Sequence, residues 1–457
     1  MTLTQTRRSL MFASLLMAGA AGQSIDQVTI SQAVATAERN YPSVRVSAEQ
    51  VAAAAAGINL ARTAYLPRLD GLGQLNRATR NNVFGLLLPQ SVIPSISGPV
   101  LGTNDMTNVW GSAVGVLVSW EPFDFGLRKA NIDVADASRR RAEAGVARTQ
   151  FEVAAMTADA FLTVIAAGQT VKAAQAGVDR AKVLEQSVGA LARAELRPGA
   201  DLSRAQAERA IAETQLAQAE QAVAVAQATL AQMTGAKVTP LAGKLLEAPQ
   251  APPDVTNVVQ HPLALEQLAI VGEVKAREKA LDRSYFPRFS LQGTSFARGT
   301  GARVDGSTGG AASGVGTNFQ NWALGMSVTF PIMDFKSLRE KKEIEAHNER
   351  GESARYDRVV RELEGQLERA KAQLEGARRV AALTPVQRKA ARDAVEQATA
   401  RYKSGLGTLI EVAEAQRLLT ATEIDEALAQ LNIWRAMLAV AAAQGNLQPF
   451  LEKAEAK

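Results

Sequence analysis

The sequence predicts an α+β membrane protein in which short membrane-spanning strands run directly into very long helices, and in which this pattern occurs twice. Three observations carry the prediction. Between residues 322 and 330, Trp322, Leu324, Met326, Val328 and Phe330 alternate with Ala323, Gly325, Ser327 and Thr329, a period-two strand with one apolar face. Residues 335–403 then read as a single helix rich in Ala, Glu, Arg, Lys and Gln. At 1.5 Å per residue it would be a rod of about 100 Å, far longer than the roughly 30 Å core of a bilayer and too charged to sit in one. The third observation is internal repetition, set out below.

Taken in order, Arg7 and Arg8, the apolar run Leu10-Met-Phe-Ala-Ser-Leu-Leu-Met17 and the A-x-A sequence Ala18-Gly-Ala20 read as a signal peptide over residues 1–20. A first repeat spans 21–235. It opens with a helix that starts near Thr29 or Ser31 and is broken at Asn40-Tyr41-Pro42. Tyr65-Leu-Pro67-Arg-Leu69 turns the chain to extended form. Strands follow at about 69–78 and 111–120, separated by a loop rich in Asn, Pro, Ser and Gly. A long helix over 127–196 is broken by Pro198-Gly199, and a helix over 201–233 ends at Gly235. A Pro-rich connector covers 236–257.

The second repeat, 258–445, restates the first: a helix, strands at about 288–297 and 322–330, the long helix 335–403 and a helix over 409–445, with 446–457 left as a C-terminal tail. His261-Pro262 and Tyr285-Phe-Pro287-Arg-Phe289 match Tyr41-Pro42 and Tyr65-Leu-Pro67-Arg-Leu69 at an offset of 220. Phe330…Asp334-Phe335 and Glu411-Val-Ala-Glu-Ala-Gln416 match Trp120…Asp124-Phe125 and Asp201-Leu-Ser-Arg-Ala-Gln206 at an offset of 210. Pro122 with Asp124, and Pro331 with Asp334, mark the two strand–helix junctions, where Asp can cap the helix that follows.

Composition narrows the function classes. Of 457 residues, 21 % are charged and only 5 % aromatic, and much of the 47 % hydrophobic content is Ala, which suits helices packed in coiled-coil style. A net charge of +5 spread over interspersed acids and bases, with no dense basic patch, argues against nucleic-acid binding. The absence of cysteine excludes disulfides, thiolate chemistry and a lipidated N-terminal Cys. His261 and His347 lie far apart with no second ligand at metal spacing, so structural roles and no metal are expected. No phosphate loop, nucleophile motif or cofactor signature is present, so the chain reads as no enzyme and no cofactor is expected.

Two strands per repeat make four per chain. Four strands cannot satisfy their edges in lipid, and closed outer-membrane barrels have at least about eight. Copies must therefore combine, a dimer giving eight strands and a trimer twelve, with the helices continuing as a cylinder. A soluble periplasmic adaptor or coiled-coil scaffold, with the strands in a small sandwich, is the alternative. The paired aromatic strand exits, Trp120 and Phe330, count against it. On barrel strands Trp110, Trp120 and Trp322 fit an interfacial girdle, whereas Trp434 reads as packing.

These landmarks resemble outer-membrane efflux proteins of the TolC type over nearly the whole chain after the signal peptide. The matching pieces are Tyr-x-Pro-Arg before the first and third strands, Trp/Phe-x-Pro…Asp-Phe after the second and fourth, and hairpins ending in Asp201-Leu-x-x-Ala-Gln206 and Gly405-x-Gly-Thr408-x-x-Glu411-Val-x-x-Ala-Gln416. The resemblance implies a homotrimer with a shared twelve-stranded barrel in outer-membrane lipid, continuous with a helical periplasmic tunnel. It implies a passive exit duct for efflux or type I secretion, joined through a periplasmic adaptor (membrane fusion) protein to an inner-membrane RND or ABC pump. It places a periplasmic gate at Tyr402 and Asp201 and acidic constriction rings at Glu411 and Glu414, residues that by themselves read as one solvated helix face. Adaptor contact would fall on Arg197, Pro198, Gly199 and Ala200 and on Lys403, Ser404, Gly405, Leu406, Gly407 and Thr408. The first turn reads as shortened to Pro-Gly-Ala, about four residues fewer than the second. Gly407 stands where the best-known member has a gating Arg.

Overall fold

The computed structural model describes residues 25–79, 107–247, 258–303, 305 and 307–455. The signal-peptide reading, most of the first interstrand loop and the second half of the connector lie outside them. In chain order the elements are β1 (Ile25–Val28), α1 (Ile30–Asn40), α2 (Pro42–Thr63), β2 (Arg68–Thr79), β3 (Asn108–Phe123), α3 (Leu127–Arg193), α4 (Gly199–Thr234), β4 (Val238–Pro240), α5 (Pro262–Ser284), β5 (Arg288–Thr300), β6 (Phe319–Thr329), α6 (Phe335–Lys403), α7 (Leu409–Gln444) and α8 (Gln448–Glu455). They form two compact units. One takes Arg45–Thr149 and Asn257–Glu364, the other Met1–Val44, Gln150–Thr256 and Gly365–Lys457.

The first unit holds a four-stranded antiparallel sheet in the order β2-β3-β5-β6. Its register puts Leu69, Val118, Gly293 and Leu324 in one row, and Trp120, Leu291 and Met326 in another. Trp322, Leu324, Met326 and Val328 are 79 %, 69 %, 73 % and 53 % exposed, while Ala323, Gly325 and Ser327 between them are partly covered. The sheet therefore turns its greasy face outward, the reverse of a soluble sheet and the arrangement lipid demands. A one-residue slip of register would turn that band inward. At Gly115, opposite Phe296, an added Cβ would lie 2.4 Å from the Phe296 Cβ, so the two strands approach this closely only because residue 115 has no side chain.

Where β3 meets α3, a buried knot fixes the change of direction. Asp124 accepts from the Arg128 backbone N (2.6 Å) and Nε (3.0 Å) and from the Gly126 N (3.2 Å). Arg128 also donates to the Ala64 carbonyl (3.1 Å), and its guanidinium lies 4.6 Å from the Tyr65 ring centroid. The Tyr65 carbonyl in turn accepts from Trp120 Nε1 at 3.0 Å. Phe125, at φ 53, holds a left-handed conformation that costs a bulky residue about 1–2 kcal/mol. Stacking on Phe286 (5.3 Å) and edge contact with Phe123 (4.6 Å) offset that strain. The second junction differs. Asp334 is exposed and position 338 is Leu, so no Arg closes an equivalent knot.

The second unit packs α1, α4, α7 and α8 with residues 150–193 of α3 and 365–403 of α6. Its largest fully buried side chains include Phe161, Leu162, Leu230, Leu431, Met437 and Phe450. Trp434 is 3 % exposed, meets Phe450 edge-on and donates to the Glu247 carbonyl at 2.8 Å. One expectation needs correcting. Residues 446–455 are not a tail: α8 buries Phe450, Leu451 and Ala454, and Glu455 accepts from the Thr29 hydroxyl and the Ser31 N at the start of α1. Leu447, Phe450, Leu451 and Ala454 have the spacing of one helix face, so the signal was present. Within the connector, β4 pairs in parallel with β1.

Within α6, Pro385 deprives the Ala381 carbonyl of its usual donor, and the buried Thr384 hydroxyl donates there instead at 3.3 Å. His261 caps α5, its Nδ1 accepting from the Leu263 N at 3.1 Å. Among the described residues α3 is the one helix long and apolar enough to cross a membrane, but 56 % of that stretch is buried, as expected of a core helix.

Removing the Asp124 carboxylate would leave Arg128 buried without its counter-ion, so Asp124→Ala is expected to cost roughly 3 kcal/mol in detergent unfolding assays. Burial pushes the Asp124 carboxyl up, but the Arg128 and Gly126 hydrogen bonds and the Arg128 charge outweigh it, and its pKa falls below the ordinary value. A depressed carboxylate pKa stabilises the fold fully above about pH 4 and is lost as pH drops through the lowered value. Asp124→Asn should therefore flatten the acid-side loss of stability relative to the parent chain.

Candidate functional site: the hairpin turns

The two helical hairpins of the second unit end in turns of the same length and hydrogen bonding. Residues 194–198 link α3 to α4, and 404–408 link α6 to α7. In the first, the Leu196 N donates to the Leu191 carbonyl (2.9 Å) with Glu195 at φ 58; in the second, the Leu406 N donates to the Arg401 carbonyl (2.9 Å) with Gly405 at φ 79. Both are Schellman-type closures. The expected shortening of the first turn is therefore wrong. The helix ends at Arg193, ahead of Pro198-Gly199, and Glu195 takes the left-handed position that Gly405 fills in the other copy. A Glu in place of the customary Gly hid the equivalence.

The second turn continues into a capping box. The Glu411 N donates to Thr408 Oγ1 at 3.3 Å, and Glu411 Oε1 accepts from the Thr408 N at 3.4 Å. Thr408-x-x-Glu411 carries the signature of that motif, which a reading of Glu411 as a ring residue passed over. Arg401 lies 3.9 Å from Glu411 Oε2. Glu414, one turn on, is exposed, and among the described residues it makes no ion pair. Gly407 packs against the last turn of α6: a Cβ there would lie 3.1 Å from the Arg401 Cβ and 3.2 Å from the Tyr402 N. Any side chain at 407 would have to displace that backbone slightly.

Between the turns lies a small core of Leu184, Val188, Ala205, Tyr402, Leu409 and Val412, flanked by Leu191, Leu202 and Ala398. Tyr402 is 3 % exposed in it, and its hydroxyl donates to Asp201 Oδ2 at 3.2 Å. Tyr402 and Asp201, named from the sequence, are thus in direct contact, and the phenol is at once a packing group and a polar link. Burial first, and then the Asp201 charge and hydrogen bond, raise its pKa above the ordinary phenol value against a smaller lowering by Arg197. Arg197 is half-buried. Pro198, Gly199, Ala200, Lys403, Ser404, Gly405, Leu406 and Thr408 are exposed. So is Leu196, at 70 % against 76 % for Leu406, a turn residue the sequence reading left out.

Farther from the turns, ion pairs tie the helices together: Arg417 to Glu208 (2.7 Å) and Arg180 to Glu423 (2.9 Å) between the hairpins, Arg209 to Glu185 (3.2 Å) within the first and Arg388 to Glu426 (2.7 Å) within the second. The sequence named none of them, because pairs between distant helices leave no periodic trace.

Two stretches of the chain, residues 33–236 and 273–446, match the profile of the family described as outer membrane efflux protein. The chain belongs to that family. Its two matched stretches make it a two-repeat efflux channel of the outer membrane with a periplasmic helical part, and not an enzyme or a soluble adaptor. No curated protein sequence matches it significantly. Among solved structures, CusC has a TM-score of 0.74 at 15 % identity, covering 97 % of this chain and 99 % of that one. The Campylobacter jejuni CmeC outer membrane channel scores 0.71 at 16 % identity, covering 91 % and 85 %. The open state of the Neisseria gonorrhoeae MtrE outer membrane channel scores 0.66 at 17 % identity, covering 91 % and 89 %. This efflux protein therefore shares their α+β fold.

Two outcomes follow for the turns of this efflux protein. Glu195→Gly should relieve the left-handed strain and raise stability by up to about 1 kcal/mol, read as a small upward shift in melting temperature. Tyr402→Phe keeps the ring and loses the bond to Asp201, which should cost about 1–2 kcal/mol, whereas Tyr402→Ala opens a cavity and should cost about 3–5 kcal/mol.

Proposed function

We propose that three copies of this channel close one twelve-stranded barrel and form a passive exit duct, gated at the hairpin turns and opened by an adaptor and an inner-membrane pump. The observation that carries the proposal is the open sheet. β2 and β6 end it on both sides, its outward face is apolar, and no described strand of the chain pairs with either free edge. In hydrocarbon each unpaired peptide group costs several kcal/mol, so sister copies must supply the partners. Eight strands would also close a barrel; twelve is favoured by family membership. Residues 21–235 and 258–445 are then the two repeats contributed by each copy, after a signal peptide at 1–20.

The entrance is assigned to the turns of the second unit. Tyr402 and Asp201 link the two hairpins there, and Glu411 and Glu414, three copies of each, would line a negatively charged constriction. Glu411 also serves its own helix cap, so Glu414 is the freer of the two. The exposed residues 198–200 and 403–408, joined by Leu196, offer a polar surface with one apolar side chain per turn for a periplasmic adaptor. The pump, of RND or ABC type, would supply the energy.

Conductance in planar bilayers tests the duct. Micromolar multivalent cations should block current through the parent channel, and Glu411→Gln combined with Glu414→Gln should weaken that block at least tenfold. Undiminished block would remove the acidic ring from the account, and absence of any conductance would remove the duct.

A further inference from the structure

We infer that Arg197 is a positioning residue of the periplasmic entrance, a clasp by which the first hairpin turn holds the gating tyrosine of the second. The inference rests on the assignment of the entrance to these turns. A residue of an exposed turn is expected to extend into water, and a solvated arginine would gain little by folding back. Arg197 instead turns in. Its guanidinium lies 4.5 Å from the Tyr402 ring centroid, within cation–π range. The same guanidinium donates through Nη2 to the Tyr402 carbonyl at 2.6 Å. That carbonyl belongs to the last turn of α6; it also accepts from the Gly405 N at 3.1 Å, and the guanidinium takes its second lone pair where the helix dipole favours a cation.

Arg197 thus grips Tyr402 at both ends, ring and backbone, while Asp201, four residues along the first hairpin, takes the phenol hydroxyl at 3.2 Å. Three contacts from one hairpin converge on one residue of the other. The ring cannot swing out of its pocket without breaking the stack, and the last turn of α6 cannot move away without losing the guanidinium. Position 407 of the second turn is Gly, which brings no cation to Tyr402. The clasp comes from the other hairpin. Movement of either turn is therefore transmitted to the other, and a partner that pulled Arg197 outward would free Tyr402.

The test is single-channel conductance of the full chain in planar bilayers, with heat-resistant oligomer on gels as the check of assembly. Arg197→Ala should raise conductance severalfold. Arg197→Lys, which keeps the charge but loses the planar stack and the fork, should fall between it and the parent. The double variant Arg197→Ala/Tyr402→Ala should conduct no more than Tyr402→Ala alone, since Arg197 acts through Tyr402. Parental conductance in Arg197→Ala, with raised conductance in Tyr402→Ala and Asp201→Ala, would overturn the clasp and leave the entrance assignment standing. Additive effects in the double variant would also overturn it. No change in any of the three single variants would overturn the entrance assignment and the clasp with it. Should Arg197→Ala fail to assemble, Arg197→Gln keeps a donor for the carbonyl, and its conductance decides in the same way.

Discussion

A peptide group in hydrocarbon has no water to fall back on, and that single constraint orders the molecule. β2 and β6 each present one row of unpaired donors and acceptors, and the face between them is covered with Trp, Leu, Met and Val side chains that water would repel. A lone copy can satisfy neither edge. The strand order leaves both edges unpaired within the described residues, and β3 and β6 each lead into a long helix. The buried Asp124–Arg128 pair, with Trp120 and Tyr65 bonded around it, shows how much polar structure one such turn requires.

At the opposite end of the long helices the requirements reverse. The turns are largely exposed, and in the proposed function they form the gate. A small apolar core lies between them, and Tyr402, the aromatic residue in it, is held by polar contacts from the other hairpin. Polar and cation–π contacts are each worth about a kilocalorie per mole or two, which on the proposed function is little enough for a docking partner to overcome. Farther along, ion pairs such as Arg417–Glu208 and Arg388–Glu426 link neighbouring helices.

What the sequence shows depends on how local the physics is. Alternation from Trp322 to Val328 is legible because lipid on one side and a polar lumen on the other impose a period of two. Recurrence at fixed offsets is legible because two copies must share one architecture. Tyr402 and Asp201 could be named by resemblance, but their contact is a matter of packing across 201 residues of chain. The equal length of the two turns was obscured by one residue, Glu195, standing where Gly would have announced the left-handed turn. The helix at Gln448–Glu455 and the capping box at Thr408 do carry local signals, the apolar spacing Leu447-Phe450-Leu451-Ala454 and Thr408-x-x-Glu411. The inward turn of Arg197 had no local signal at all. Its partners are a ring and a carbonyl on another hairpin.

The central claim is that one chain supplies a third of a closed barrel. The most direct measurement is the native mass of the purified full chain in mild detergent. The account predicts a single species of three chains that stays intact in unheated gel samples and partitions with detergent. A monomer that dissolves freely in detergent-free buffer would contradict it.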